Sequence, residues 1–181
     1  MNFWKPSLLV LLAMMLAISS MTISCSNEDL PLGVNQGDDD DDDDGSESET
    51  KVSTSGGRES HRFGENCFSC HVSGGGEASE YRFTIAGSVY ASGGNSALAN
   101  SNATVEFYTQ ANRSGTRVLT LPVDAYGNFF TTNSVSELSN GLYPQVVYNS
   151  NRSSMNSQHT STGQCYSCHA PGSSQGVIVA P

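Results

Sequence analysis

Between residues 81 and 149 apolar and polar side chains alternate with a period of two. Tyr81, Phe83, Ile85, Gly87 and Val89 fall on one side of an extended chain, and Arg82, Thr84, Ala86, Ser88 and Tyr90 on the other, the pattern of a half-buried strand. Val105 and Phe107 alternate with Glu106 and Tyr108, residues 117–121 and 128–132 are β-branched or aromatic runs, and residues 142–148 close the set. Turn-forming residues separate these runs: Gly93-Gly94-Asn95, residues 112–115, residues 124–127 and Asn140-Gly141. No window of this region carries apolar residues at three- and four-residue spacing over ten or more positions, so helix is expected to be nearly absent. Short strands with regular turns predict a mainly β fold, a small antiparallel Ig-like sandwich over residues 79–150. Pro144 lies inside the last run; lacking an N–H, it predicts a sheet edge or a bulge there.

The N-terminal pattern is different in kind. Lys5 precedes a continuous apolar run over residues 8–18, short for a bilayer span and suited to a secretory signal peptide over residues 1–24. Residues 25–57 then turn strongly polar, with seven consecutive aspartates at 38–44 between Gly37 and Gly45. Such a segment buries no apolar surface and repels itself, which predicts an extended tether. The alternative, calcium binding, needs spaced carbonyl ligands and a positioning glycine that the run lacks. The formal charge of −10 resides in this tether: residues 26–57 hold eleven acids against Lys51, while residues 58–181 hold seven acids and six arginines. The near-neutral remainder offers no basic field for nucleic acid. It also shows no Ser, His and Asp constellation and no phosphate-cradling glycine loop.

Two pentapeptides carry the candidate chemistry. Cys67-Phe-Ser-Cys70-His71 and Cys165-Tyr-Ser-Cys168-His169 lie 98 residues apart, and His61 and His159 each stand six residues before the first cysteine of their motif. Two thiols at this spacing can add to the two vinyl groups on one edge of a haem, leaving the following imidazole to bind the iron. The chain has four histidines and all four are in these two arrangements. The reading is two covalent haems c, with His71 and His169 as proximal ligands and His61 and His159 as distal ones. Whether His61 serves its own haem or the other is left open by the sequence, and Met155 is the substitute ligand to consider. Four cysteines could instead clamp one zinc, although zinc ribbons close loops of about 12 to 20 residues between pairs. They could also form small-ring disulfides or redox pairs, although thioredoxin-like motifs open a helix after a strand. Phe63, Phe68 and Tyr166 flank the motifs and suit either porphyrin contact or ordinary packing. On this reading residues 58–78 form the first haem segment and residues 151–181 the second with its tail.

The motifs resemble those of multihaem c-type cytochromes, over residues 61–71 and 159–169. The resemblance implies electron transfer without naming a donor or an acceptor; the expected partners are other redox proteins or copies of the same chain, and no enzymatic activity is expected. The alternatives are a small-molecule reductase or peroxidase with one open haem site, or a zinc- or disulfide-held β-sandwich surface binding module. The stretch Met21-Thr-Ile-Ser-Cys25 resembles a bacterial lipoprotein cleavage box, with Cys25, the one cysteine outside the two motifs, as the lipidated residue. An ordinary signal peptide cut nearby is the other reading. An acidic segment after a lipidated cysteine resembles export signals of surface lipoproteins, which implies the bacterial outer membrane, facing the cell exterior or else the periplasm. Residues 81–149 are similar to the carboxypeptidase regulatory-like or transthyretin-like β-sandwich family, through Phe83-x-Ile85-x-Gly87-x-Val89, Ala103-x-Val105-x-Phe107 and Asp124-x-x-Gly127-x-Phe129. An odd number of strands between the motifs would put them at opposite ends of such a sandwich, and an even number at one end.

Overall fold

The computed structural model describes residues 50–72, 81–155 and 162–181. The signal peptide, Cys25, the aspartate run and His159 lie outside the described residues.

Each of the five predicted runs forms a strand. They are β1 (Ile85–Tyr90), β2 (Thr104–Tyr108), β3 (Arg117–Pro122), β4 (Asn128–Thr131) and β5 (Tyr143–Tyr148); β6 (Asn151–Ser154) and β7 (Ile178–Val179) join them. Two sheets result, a three-stranded one in the order β4-β1-β7 and a four-stranded one in the order β3-β2-β5-β6. Every pairing is antiparallel except β1 with β7, which is parallel. Among the described residues helix is confined to short turns, including one α-helical turn, α1 (Tyr166–His169). Among the described residues no helix is long and apolar enough to cross a membrane.

The alternation read from the sequence sorts side chains between core and outer face. Ile85 and Val89 of β1, Val105 and Phe107 of β2, Leu121 of β3, Phe129 of β4 and Val146 of β5 meet between the sheets. The Phe107 and Phe129 rings approach to 6.4 Å at 53°. Each of these side chains stabilises the fold by about 1.5–3 kcal/mol relative to exposure.

Pro144 is an interior residue of the sheet, since β5 lies between β2 and β6, and the one irregular register in the four-stranded sheet falls between β2 and β3. The proline is tolerated because it lies beyond the last β5–β6 partner pair, Gln145 with Ser154, where its carbonyl accepts from Met155 N–H at 3.0 Å. The missing donor is therefore at the end of a ladder. β6 was not predicted because its four residues are polar and exposed. It follows a two-residue hairpin at Asn149-Ser150, both with positive φ (48° and 66°), the backbone that matches strand twist in tight hairpins.

Candidate functional site

The two pentapeptides fold alike. In the first, residues Cys67–Ser69 form a 3-10 turn; in the second, α1 begins one residue after the first cysteine. The carbonyl of Cys67 accepts from Cys70 N–H at 3.3 Å and His71 N–H at 3.0 Å, and that of Cys165 accepts from Cys168 and His169 N–H at the same two distances. The serines common to both motifs hold the turns shut. Ser69 Oγ donates to Asn66 O and Ser167 Oγ to Gln164 O, both at 2.7 Å. One helical turn makes positions i, i+3 and i+4 neighbours, so the two cysteines and the histidine of each motif share a single turn.

Both motif histidines are oriented by the same device. His71 Nδ1 lies 3.0 Å from Tyr81 O, and His169 Nδ1 lies 3.0 Å from Gly176 O. A backbone carbonyl can only accept, so each Nδ1 carries the proton and each Nε2 keeps a lone pair for a metal. Nothing in sequence spacing announces these acceptors, which are backbone atoms ten and seven residues downstream.

The first segment is docked on the outer face of the three-stranded sheet. Phe68 packs with Ala86 of β1 and Phe130 of β4, with Phe83 and Cys67 against them. Phe63 meets Tyr90 at 4.5 Å between ring centroids. Gly64 N–H donates to Ser88 Oγ at 3.1 Å, and Asn128 Nδ2 donates to Ser60 Oγ at 2.9 Å and His61 O at 3.1 Å. These contacts bring the exposed His61 ring to 5.7 Å from that of His71, at 39° between planes. His61 thus faces the histidine of its own motif.

The second motif is docked on the free edge of the same strand. Gln164 bridges Ala86 in parallel, Ala86 N–H donates to Gly163 O and Cys165 N–H to Ala86 O, both at 3.2 Å. The chain then leaves the edge through α1 and returns as β7 beside Val89 and Tyr90. Two glycines permit the approach. A Cβ on Gly87 would lie 2.7 Å from Phe129 Cζ and 2.9 Å from Cys165 Cβ, and one on Gly163, at φ +68°, would strike the Thr84 carbonyl.

Among the described residues six strands lie between the motifs, and the two turns meet at one place. A cleft over β1 is lined by Gly64 and Glu65 from the first segment, Gly87, Ser88 and Tyr90 from β1, and Cys165, Tyr166 and His169 from the second. Burial pushes the Cys67 thiol up to about 11, with the negative Asp124 and Glu65 adding to it. Burial likewise pushes Cys165 up to about 12, helped by the nearby Cys67 and Cys168. Protonated thiols of this kind are unlike redox cysteines, whose pKa is lowered. The Cys70 sulfur is in a disulfide, whereas Cys67, Cys165 and Cys168 are not disulfide-bonded. Burial, with the nearby Tyr166, also raises the pKa of Tyr90, which keeps its hydroxyl neutral between the two segments.

Of the flanking aromatics, Phe68 is buried in the sheet-face cluster and Tyr166 lines the cleft. Met155 ends β6 on the other sheet. Among the described residues no three of His, Cys, Asp and Glu gather as a metal cage.

No family model, no curated protein and no solved structure matches this chain.

Proposed function

We propose that this chain is an exported, lipid-anchored dihaem c-type cytochrome that relays electrons between redox partners, with Cys67 and Cys70, and Cys165 and Cys168, as the attachment points. The observation that carries the reading is the matched pair of Nδ1 contacts, His71 to Tyr81 O and His169 to Gly176 O. An iron ligand needs its other nitrogen held in this way, whereas a loop histidine has no reason to be so held twice. The His61–His71 separation of 5.7 Å is a second support, because two imidazoles on opposite sides of one metal, at bonds of ~2 Å, have centroids roughly 6 Å apart. His159 takes the same part for His169 by its equal spacing.

Haem iron, when bound, supplies a one-electron couple. His71 with His61, and His169 with His159, would hold the two irons and leave no position for oxygen or peroxide. Phe68, Phe63 and the sheet face fix the first turn in place, and Gly87 and Gly163 seat the second against the same strand. With both groups held, the cleft over β1 would be the route for electrons between the two motifs within one molecule. The exposed Ser167 and Cys168 put the second site nearer to solvent, where partners dock. Attachment at Cys70 would require the disulfide found there to be opened first by a two-electron thiol reductant, which returns the sulfur to the thiol that can add to a vinyl group. The leader and Cys25 supply export and the lipid anchor at the bacterial outer membrane, and the acidic tether holds the haems away from the bilayer, at the cell surface.

The separation of the cysteine pairs in sequence argues against zinc less strongly once both turns are seated on β1, and the held imidazoles suit either metal. What favours haem is the Cys-x-x-Cys-His order repeated in both turns. The reading is tested by potentiometric titration of the protein from a haem-maturation-competent host, followed by visible spectroscopy. The expected result is two reversible one-electron waves, a low-spin spectrum and no carbon monoxide binding. A high-spin component that binds carbon monoxide or consumes peroxide would support the reductase or peroxidase reading, and a colourless protein would end both.

A further inference from the structure

We infer that Phe83 is a positioning residue for the first iron site, its ring holding the His71 imidazole in one rotational setting. The inference rests on the haem reading above, and it names a residue that lies outside the pentapeptide and twelve positions after the histidine.

The Phe83 ring lies on the His71 ring at 4.1 Å between centroids and 15° between planes, a stacked contact of the kind worth about 0.5–1.5 kcal/mol beyond burial. Phe130 lies behind it at 4.8 Å and 22°. Phe130 belongs to β4 and is buried, so the stack of three rings ends on the sheet. The backbone locks the stack from both sides: Phe83 N–H donates to His71 O at 3.1 Å, and Tyr81 O accepts from His71 Nδ1 at 3.0 Å.

A single hydrogen bond at Nδ1 fixes the direction of the ring while leaving it free to swing about that bond. The Phe83 face removes the swing. His169 has the matching bond to Gly176 O, and among the described residues no ring lies against it. The two turns, alike in backbone, therefore hold their imidazoles to different degrees. The plane of an axial imidazole sets the splitting of the iron d orbitals and hence the anisotropy of the low-spin ferric signal, and the strength of its Nδ1 bond tunes the potential.

The test compares electron paramagnetic resonance spectra of the oxidised full chain with those of Phe83→Leu, which keeps apolar volume beside Phe130 and removes the plane, and of Phe83→Tyr, which restores it. Intact mass is recorded for each. The expected result is two haems in all three proteins, one of the two low-spin signals shifted and broadened in Phe83→Leu, the other unchanged, and a wild-type spectrum in Phe83→Tyr. Unchanged signals in Phe83→Leu, or equal changes in both, would overturn the inference and leave the dihaem reading intact. Loss of the first haem in both Phe83→Leu and Phe83→Met would show a purely structural role and overturn it too. Wild-type protein without haem would overturn the reading beneath it.

Discussion

His61 is the residue on which the coordination of the first site turns. It is exposed, its backbone carbonyl is pinned by Asn128, and its ring faces His71 at 5.7 Å. His61→Ala removes the ring and keeps the docking contacts, so the visible spectrum should become about half high-spin while the haem count stays at two. A wholly low-spin spectrum would assign the first distal position to another residue. Glu106 is the residue that sets acid stability. Burial raises its carboxyl, but the Tyr108 hydroxyl at 2.6 Å and Arg117 at 2.8 Å, with Arg113 beyond, outweigh this and hold it below the usual carboxylate range. A lowered folded pKa contributes stability that is present above the unfolded value of about 4.3 and is lost as pH falls through the folded one. Thermal midpoints should be level above about pH 5 and fall below about pH 4, and Glu106→Gln should flatten that acid limb.

At the scale of elements, β1 is the organiser. Its inner residues build the core, its outer residues receive the first motif, and its free edge receives the second. Gly87 is the contact point, wedged between Phe129 and Cys165. Gly87→Ala should destabilise the fold by about 1–3 kcal/mol through overpacking, seen as a lowered denaturation midpoint. Mass spectrometry should also find incomplete attachment at the second motif with the first unaffected. Equal loss at both motifs would argue against the edge docking. The legibility of the sequence divides along the same lines. The five apolar strands were readable because burial on one face forces period two on the residues. Asn151–Ser154 and Ile178–Val179 were not: the first is polar and exposed, and the second is two residues long and is held to β1 by backbone pairing. The motif residues were readable because the same Cys-x-x-Cys-His spacing occurs twice in the sequence. Tyr81 O and Gly176 O were not, since any residue supplies a carbonyl, although the serine repeated in both pentapeptides was a visible sign that the turns are alike.

For the whole molecule, the sixth strand between the motifs decides how the two sites relate. With five strands the second motif would emerge at the far end of the sandwich; with β6 it returns to the end where the first lies, and β7 then closes the sheet beside it. The main core, with Phe107 and Phe129 at its centre, carries both sites on one frame. Phe107→Ala should cost about 3–5 kcal/mol in chemical denaturation and loosen both turns together, in contrast to the one-sided effect of Gly87→Ala. A single sheet face and its edge suffice to seat both motifs over one strand, and under the proposed function electron transfer between them would need no second molecule.

The most direct measurement is peptide-resolved mass spectrometry of the protein purified from a haem-maturation-competent host. The account predicts one haem added to the peptide containing Cys67, Cys70 and His71, and one added to the peptide containing Cys165, Cys168 and His169. Unmodified thiols, disulfides or zinc on those two peptides in a folded, functional protein would contradict it.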